Sequence, residues 1–421
     1  MTRPRPQLPP LSLVRQKFDD SRIMDVGAHL QGELEGCGVS VPQGARVAVA
    51  VGSRGIHDLR TVVRGMVQWL RGQGAEPFLV PAMGSHGGAT AEGQRAVLEG
   101  YGLTTDAVGA SIRASMEVVR LPQEDCPVPV YFDRNAAEAD ATIAINRIKL
   151  HTDFHGPYES GLMKMLTIGL GKHAQALAIH SHGVRGLRDY MPAAARQIIR
   201  HSNLILGVAL VENQYDRTCA LEALPADQIP AREPKLLEIA RTRMPSLPLD
   251  ELDLLVVDQM GKDISGVGLD PNIVGRLKVE GEPEPERPRI GRIGVRSLTP
   301  ASHGNAIGMG LADFIHRDLR DAIDWHATYE NARTSTFLAR VNMPICLESD
   351  AAIMRFATRS LGPKPIEELK LARIKNTLDL EYLVLSEAAL RDAERRDRLE
   401  VVRPVKRVWQ GNQLASFPQP E

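Results

Sequence analysis

The chain has 421 residues, too many for a single hydrophobic core, and this length predicts two domains. Its 51 Lys and Arg residues nearly balance 52 Asp and Glu residues, and the formal net charge of -1 argues against nucleic acid or an anionic membrane as partner, so a small molecule is expected. Four scattered cysteines without a CxxC pair argue against a zinc ribbon or a disulfide scaffold, and the lack of an apolar signal core or membrane-length run makes the cytoplasm the expected location.

Apolar runs in the first part of the chain predict the strands of a parallel sheet. Residues 46–51 predict a buried strand, apolar residues at helical spacing from Leu59 to Leu70 predict the following helix, and residues 77–80 predict the next strand. A third strand is predicted over residues 141–145. This alternation predicts an α/β fold whose ligands gather at the loops after the carboxyl ends of the strands.

Two of these loops contain polar residues that a turn alone does not require. The first loop contains Ser53 and Arg54, and the second places His86 among glycines before a helix that Thr90 is expected to cap. An imidazole in a glycine-rich loop has no apolar stem to bury, which favours a functional role for His86. Taken alone, Arg54 fits a solvated loop residue as well as a ligand contact.

The segment between residues 151 and 180 concentrates basic side chains among small residues. They are His151, His155, Lys164, Lys172, His173 and His180. A stretch that served only for packing would place aliphatic residues at these positions, so the segment predicts a cofactor-binding site. Singly, each of these residues is more often structural, and Lys172 and His173 fit the start of a surface helix as well as a contact to a cofactor phosphate.

A second domain is predicted to begin after the proline-marked run 244–251, which has the composition of a linker. The predicted domains are residues 1–245 and 246–421, with the last segment of the chain allowed to return to the first domain. Each is expected to have a parallel or mixed sheet flanked by helices. The site is expected in the cleft between the domains, where closure would exclude water.

The second domain is predicted to open with a strand over residues 253–257. The polar loop after it contains Gln259 and Lys262, together with glycines. On their own, these two residues fit a solvated turn better than a binding site.

The order of these features resembles that of the nickel-dependent lactate racemase family, the 2-hydroxy-acid racemases and epimerases that use a nickel pincer nucleotide. The resemblance covers nearly the whole chain. It consists of an arginine in the loop after an early strand, a Gly-x-His loop, Ser-Gly-x-x-Lys, a histidine sixteen residues beyond that lysine, and Gln-x-x-Lys opening the second domain. Each feature is common, whereas five in one order are fairly specific.

The resemblance implies a covalently held cofactor, the nickel complex of pyridinium-3,5-bisthiocarboxylic acid mononucleotide. Lys164, with Ser160 and Gly161 before it, resembles the lysine that holds the cofactor through a thioamide. His180 resembles the protein ligand to nickel. A pincer that supplies two sulfurs and a carbon leaves one in-plane position of a square-planar nickel, and a neutral imidazole suits that position.

The resemblance also implies inversion of the C2 centre of a 2-hydroxy acid by hydride transfer to and from the cofactor, with a histidine base on each side. His86 and His151 resemble the two bases. His155 is the alternative to His151, which is favoured because it directly follows a strand-derived stretch, whereas His155 precedes a Gly-Pro turn. Arg54 resembles the residue that grips the substrate carboxylate, for which a planar guanidinium is suited.

Gln259 and Lys262 resemble the second-domain residues that close over the substrate. Val51 and Ser53 depart from the acidic residue and threonine that lactate racemases tend to have there. A sugar acid such as an aldonate is therefore mildly favoured over lactate. The cofactor-building enzymes are expected as transient partners, and the sequence does not indicate an oligomeric state.

Three other classes compete with this interpretation. The sequence from Gly169 to Ala174 fits the GxGxxA pattern of a nicotinamide dehydrogenase, but no clear strand runs into it. His151 and His155 have the spacing of a zinc hydrolase motif, but Thr152 stands where its general-base glutamate belongs. A protein that binds the nucleotide without turning over a substrate is also compatible with the sequence.

Overall fold

The computed structural model describes residues 4–53, 55–393 and 396–420. The chain divides into two compact units. The central unit contains residues 19–244, and the terminal unit contains the start of the chain up to Phe18 together with the residues from Pro245 onwards. Each unit is described by itself below.

The first element, strand β1 (Leu11–Gln16), belongs to the terminal unit, and the elements that follow it belong to the central unit. The strands of the central unit are β2 (Arg46–Val51), β3 (Glu76–Pro81), β4 (Val118–Arg120), β5 (Tyr131–Asp133), β6 (Ala141–Arg147), β7 (Leu204–Glu212) and β8 (Thr218–Pro225). Its α-helices are α1 (Val26–Gly36), α2 (Leu59–Gly72), α3 (Ala91–Gly100), α4 (Thr105–Val108), α5 (Arg134–Ala137), α6 (Leu162–Lys164), α7 (Lys172–His180), α8 (Gly183–Arg185), α9 (Met191–His201) and α10 (Ile229–Arg243). Short 3₁₀ turns occur at Gly87–Ala89 and Ala226–Gln228, and π-helical turns at Met165–Gly169 and Gly186–Tyr190.

The main sheet of the central unit has the order β3-β2-β6-β7-β8 among the described residues. Strands β3, β2, β6 and β7 run parallel, and β8 pairs antiparallel with β7. Five of the six residues of β2 are buried, as expected for a strand covered on both faces. The predicted strands at 46–51, 77–80 and 141–145 are confirmed. Because β3, β2 and β6 are neighbours, the loops after their carboxyl ends share one edge of the sheet.

Helix α2 connects β2 to β3 and follows the predicted apolar spacing. Leu59, Val62, Met66 and Leu70 are all buried on the face that packs into the core, while the opposite face is polar. The predicted cap of α3 is also confirmed, because Thr90 Oγ1 accepts a hydrogen bond from the backbone N–H of Gly93 (3.0 Å).

The remaining elements belong to the terminal unit. Its further strands are β9 (Glu251–Met260), β10 (Arg289–Leu298), β11 (Phe314–His316), β12 (Ile345–Leu347), β13 (Leu371–Ile374), β14 (Tyr382–Ser386), β15 (Leu399–Pro404), β16 (Trp409–Gln410) and β17 (Gln413–Leu414). Its α-helices are α11 (Pro271–Val274), α12 (Arg317–Asp321), α13 (Trp325–Ser335), α14 (Asp350–Ser360) and α15 (Glu387–Arg391). Short 3₁₀ turns occur at Pro300–Ser302, Met309–Leu311, Leu338–Val341, Ile366–Glu368 and Arg396–Arg398.

The large sheet of the terminal unit has the order β12-β11-β10-β9-β13-β14-β1-β15 in the described part of the chain. The strands from β12 to β13 are parallel, and β14, β1 and β15 pair antiparallel. Both units therefore have mixed sheets flanked by helices, which confirms the predicted α/β class. The predicted division at residue 245 assigned β1 to the first domain, whereas β1 pairs with β14 and β15 and so lies in the terminal unit.

Strand β9 extends beyond the predicted strand at 253–257. Gln259 is paired with Ser297 of β10, and Met260 with Leu298, so the predicted loop begins only after Met260. Asp258 is held on the strand by a bidentate ion pair with Arg373 (2.7 and 2.8 Å). The pairing of β9 with two neighbouring strands, which the sequence does not reveal, accounts for the difference.

No helix in the described ranges is both long and apolar enough to cross a membrane. No disulfide joins the four cysteines, all of which lie in the described part of the chain.

Candidate functional site

Three loops of the central unit meet around Gly52, which directly follows β2. A Cβ atom added at Gly52 would lie 3.3 Å from Asn146 Oδ1, 3.9 Å from the carbonyl oxygen of Ala82 and 4.0 Å from Met165 Cε. These neighbours belong to the end of β6, to the loop after β3 and to the helical segment after Lys164. The candidate site is therefore built where the carboxyl ends of adjacent strands converge, as the sheet order requires.

The loop after β3 presents His86 at its exposed tip. His86 Nδ1 contacts the hydroxyl group of Ser53, so the loop after β2 touches the loop after β3 at a predicted site residue, His86. Tyr101 donates a hydrogen bond from its hydroxyl group to the carbonyl oxygen of Ser53 (2.5 Å), which fixes the other side of that residue. Gly87, with φ of +64°, packs so closely on Gly93 that a Cβ atom would lie 2.6 Å from the Gly93 carbonyl carbon. The glycine is thus required by the packing of the loop.

Lys164 ends α6, and its Nζ atom lies 2.5 Å from His151 Nε2. The segment before Lys164 is held in place by Asn146, whose Nδ2 donates to the carbonyl oxygen of Gly161 (2.8 Å). Ser160 pairs with Lys149 through two backbone hydrogen bonds of 2.8 and 3.1 Å. The lysine and the favoured histidine are therefore side by side, although they are thirteen residues apart in sequence.

The two candidate bases of this segment have different environments. His151 is 8% exposed, and its ring Nδ1 accepts from the backbone N–H of Asp153 (3.1 Å). His155 Nδ1 lies 3.2 Å from Glu159 Oε1, and the side chain of His155 is 42% exposed. Buried Glu159 also accepts the backbone N–H of His151 (2.6 Å), so one carboxylate shapes the whole turn.

His180 is the last residue of α7, and the charges of Lys164 and Asp153 act on its ring. Burial, reinforced by the positive charge of Lys164 and opposed by Asp153, lowers the pKa of His180 to about 4. The imidazole is therefore neutral near pH 7, the form in which it can bind a metal ion. Over the described residues, no group of three or more His, Cys, Asp and Glu side chains is arranged to hold a metal ion.

Glu233 of α10 is a site feature that the sequence did not indicate. Its Oε2 accepts a hydrogen bond from the backbone N–H of Met163 (2.9 Å). Its Oε1 lies only 2.3 Å from the position that a Cβ atom at Gly161 would occupy. Gly161 is therefore the residue that lets a buried carboxyl approach the start of α6 and so support the turn that holds Lys164.

Glu233 makes stability depend on pH in a defined direction. Burial raises its pKa to about 7, although hydrogen bonds from the backbone of Met163 and Leu162 lower it. Between the ordinary glutamate pKa of 4.5 and this raised pKa, the folded chain keeps the Glu233 proton, whereas the unfolded chain has lost it. The contribution of the protonated Glu233 to the free energy of unfolding is therefore complete below pH 4.5 and is lost as the pH rises through about 7.

We expect the Glu233→Gln substitution to remove this dependence, because the amide has the same shape and no charge. Between pH 5 and pH 8 the free energy of unfolding of the wild type should fall by about 2–3 kcal/mol more than that of the variant. Urea unfolding at the two pH values measures the difference. Glu238→Gln, at an exposed position of the same helix, should behave as the wild type, and equal slopes in all three proteins would contradict the assignment.

The remaining predicted residues are distributed as follows. Arg54 lies outside the described residues. Gln259 is in the terminal unit on β9, where its backbone N–H donates to the carbonyl oxygen of Lys375 (2.9 Å). Lys262, in the same unit, donates from Nζ to the carbonyl oxygen of Gly266 (2.5 Å) and to Asn331 Oδ1 (2.8 Å). The structure thus brings Ser53 to His86, and His151 to Lys164, within the central unit.

The two rival motifs do not have the structural context that their chemistry needs. The GxGxxA match from Gly169 to Ala174 follows a π-helical turn and not a strand, so it lacks the strand-to-helix turn of a dinucleotide site. His151 and His155 lie in a turn and not on one helical face. Lys172 does not begin a surface helix as one interpretation allowed, because its side chain is fully buried against Asp133.

Comparison with known proteins finds similarity only at the level of structure. No family model matches the chain, and no curated protein matches it. Among solved structures, the chain is similar to the lactate racemase apoprotein from Thermoanaerobacterium thermosaccharolyticum, with a TM-score of 0.47 and 12% sequence identity. The similarity covers 80% of this chain and 83% of that one.

Proposed function

We propose that this protein is an isomerase, a racemase or epimerase that inverts the C2 centre of a 2-hydroxy acid with a nickel pincer nucleotide attached to Lys164. The observation that carries the proposal is the contact of Lys164 Nζ with His151 Nε2 at 2.5 Å, beside a His180 that is neutral at pH 7. The lysine is thus close to the histidine proposed to transfer a proton and to the histidine proposed to bind nickel.

The residues present fit such a cofactor. Lys164 would hold it covalently, Ser160 and Gly161 would line the turn that presents the lysine, and His180 would be the one protein ligand to nickel. When bound, the cofactor would supply a hydride acceptor and a metal ion, to which His180 would contribute the protein ligand. The low pKa of His180 suits this role, because protons do not compete with the metal at neutral pH.

His151 and His86 are the proposed acid and base groups. Each would take the hydroxyl proton of one enantiomer and return a proton to the other. The Asp153 carboxylate, 3.7 Å from His151 Nδ1, can stabilise the imidazolium that forms. The contact of the Ser53 hydroxyl group with Nδ1 would orient the ring of His86.

Arg54, Gln259 and Lys262 are proposed to bind the carboxylate and hydroxyl groups of the substrate. A guanidinium matches a carboxylate in two-pronged geometry, and the lysine and amide groups add single hydrogen bonds. Enzymes that build the cofactor would be transient partners.

The proposal is tested by inversion at C2. Protein loaded with cofactor should form both epimers from C2-deuterated 2-hydroxy acids and keep the deuterium at C2, because a hydride that moves to and from the cofactor does not mix with solvent protons. NMR and chiral chromatography follow the label and the epimers. The substrate is proposed to be an aldonate, so aldonates should be inverted about tenfold or more faster than lactate. Inversion of short aliphatic hydroxy acids alone would refute the aldonate assignment, and no inversion of any candidate by loaded protein would refute the racemase.

A further inference from the structure

Lys172 is a buried charged residue in an unusual backbone conformation. It begins α7 with φ of +54°, a region that non-glycine residues rarely adopt. Its side chain is fully buried, and Nζ lies 3.0 Å from Oδ2 of Asp133, which is also fully buried. A buried ion pair is seldom the most stable filling of a core, so this pair calls for a role other than stability.

The other contacts of Lys172 lead to the loop that presents His86. Nζ donates to the carbonyl oxygen of Pro81, the last residue of β3, and to Gln94 Oε1 (3.2 Å). Gln94 is itself buried, and its Nε2 donates to the carbonyl oxygens of Gly84 (2.8 Å) and His86 (3.3 Å). One ammonium group and one amide group thus fix three backbone carbonyls between residues 81 and 86.

The same loop is tied directly to the segment that follows Lys164. The backbone N–H of Gly84 donates to the carbonyl oxygen of Gly169 (3.2 Å), and a Cβ at Gly169 would lie 2.8 Å from the Ala82 carbonyl oxygen. Lys172 stands three residues beyond Gly169 in this segment. Its bond to Pro81 therefore joins the loop of His86 to the helical stretch of Lys164 at a second point.

We infer that Lys172 is a positioning residue that, with Asp133 and Gln94, fixes His86 relative to the segment that holds Lys164. The catalytic role of His86 rests on the proposed function. The position of its loop is given by the contacts above and does not. The distance between His86 and Lys164, the proposed attachment point of the cofactor, must be fixed because small displacements in an active site slow catalysis strongly.

Two variants separate positioning from folding. Lys172→Met combined with Asp133→Asn removes both charges at once, so no unpaired charge is left in the core, and the new asparagine side chain can still cap α5 as the Asp133 carboxylate does. Gln94→Leu removes the two bonds to Gly84 and His86 while the ion pair remains. The matched control is Gln197→Leu, at another buried glutamine of the central unit that makes no bond to the loop.

Hydrogen exchange by mass spectrometry and NMR signals of the His86 ring report the loop without any need for activity. In both test variants, amides of residues 84–89 should exchange about tenfold faster and the His86 ring signals should shift, whereas Gln197→Leu should leave both unchanged. Unchanged exchange in the test variants, or the same change in the control, would overturn the inference.

Activity of the loaded protein gives the second readout. The rate constant kcat for inversion at C2 should fall about tenfold to a hundredfold in the test variants, with KM nearly constant, because substrate binding does not involve these residues. Unchanged kcat with a loosened loop would refute the positioning role. If loaded wild-type protein shows no inversion at C2, the proposed function fails, and amide hydrogen exchange alone decides whether Lys172 fixes His86.

Discussion

Replacing Lys164 with arginine should abolish inversion at C2, with a loss of at least about a thousandfold. Arginine retains the positive charge and most of the length of the side chain, but it cannot form the thioamide link that the proposed cofactor requires. A purely electrostatic role for Lys164 beside His151 and His180 would survive this substitution, at least in part. The change therefore isolates the covalent role.

The measurement is the rate at which the second epimer forms from a single epimer of the substrate, with protein produced together with the cofactor-building enzymes. Lys235→Arg is the matched control, because Lys235 is an exposed lysine of the same unit with no contact to the site, and it should retain the wild-type rate. Retention of more than about a tenth of the rate by Lys164→Arg would show that covalent attachment at this residue is not required.

The second large effect is expected at His151. His151→Gln should lower kcat by about a hundredfold to ten-thousandfold, the usual range for removing a general base. The amide of glutamine keeps a polar group near Lys164 but cannot take up a proton. Glu159 and the turn around it should remain in place, because Glu159 binds the backbone of residue 151 and not its ring.

His155→Gln is the matched control for this prediction, since the two histidines share one turn and one carboxylate. His155 is more exposed and faces Glu159, so its replacement should change kcat less than about threefold. The reverse pattern, in which His155→Gln loses activity and His151→Gln does not, would transfer the base role to His155.

Local patterns in the sequence were sufficient to predict the strands and the helix that frame the site. Strands β2, β3 and β6, helix α2 and the Thr90 cap are set by short-range periodicity and by capping chemistry, which a single sequence displays directly. The convergence of the loops after these strands follows from parallel pairing, so Ser53 and His86 could be expected at one edge of the sheet.

The supporting contacts of the site could not be read from local patterns. Lys172 pairs with Asp133 and binds Gln94, which is 78 residues away, and a lysine at the start of a helix is usually exposed. Glu233 reaches the turn of Lys164 from α10, which is 70 residues further along the chain than Met163. The close approach of Glu233 to Gly161 leaves only a weak sequence signal, a glycine before a short helix.

The terminal unit differs from the sequence-based prediction in the placement of β1 and in the end of β9, and long-range strand pairing accounts for both differences. Strand β1 pairs with β14 and β15, nearly the whole chain length away, so the first strand joins the unit formed by the last residues. The end of β9 was placed too early for the same reason, because β10 continues to pair with it through Met260. Register with distant strands is a tertiary property that hydrophobic periodicity does not encode.

The most direct test of the central claim is the intact mass and nickel content of the protein, produced with and without the cofactor-building enzymes, followed by peptide mapping. The proposed function requires a mass adduct on the peptide that contains Lys164 and about one nickel per chain, both only in the presence of those enzymes. An unmodified Lys164 peptide under conditions that load a lactate racemase would contradict the pincer mechanism.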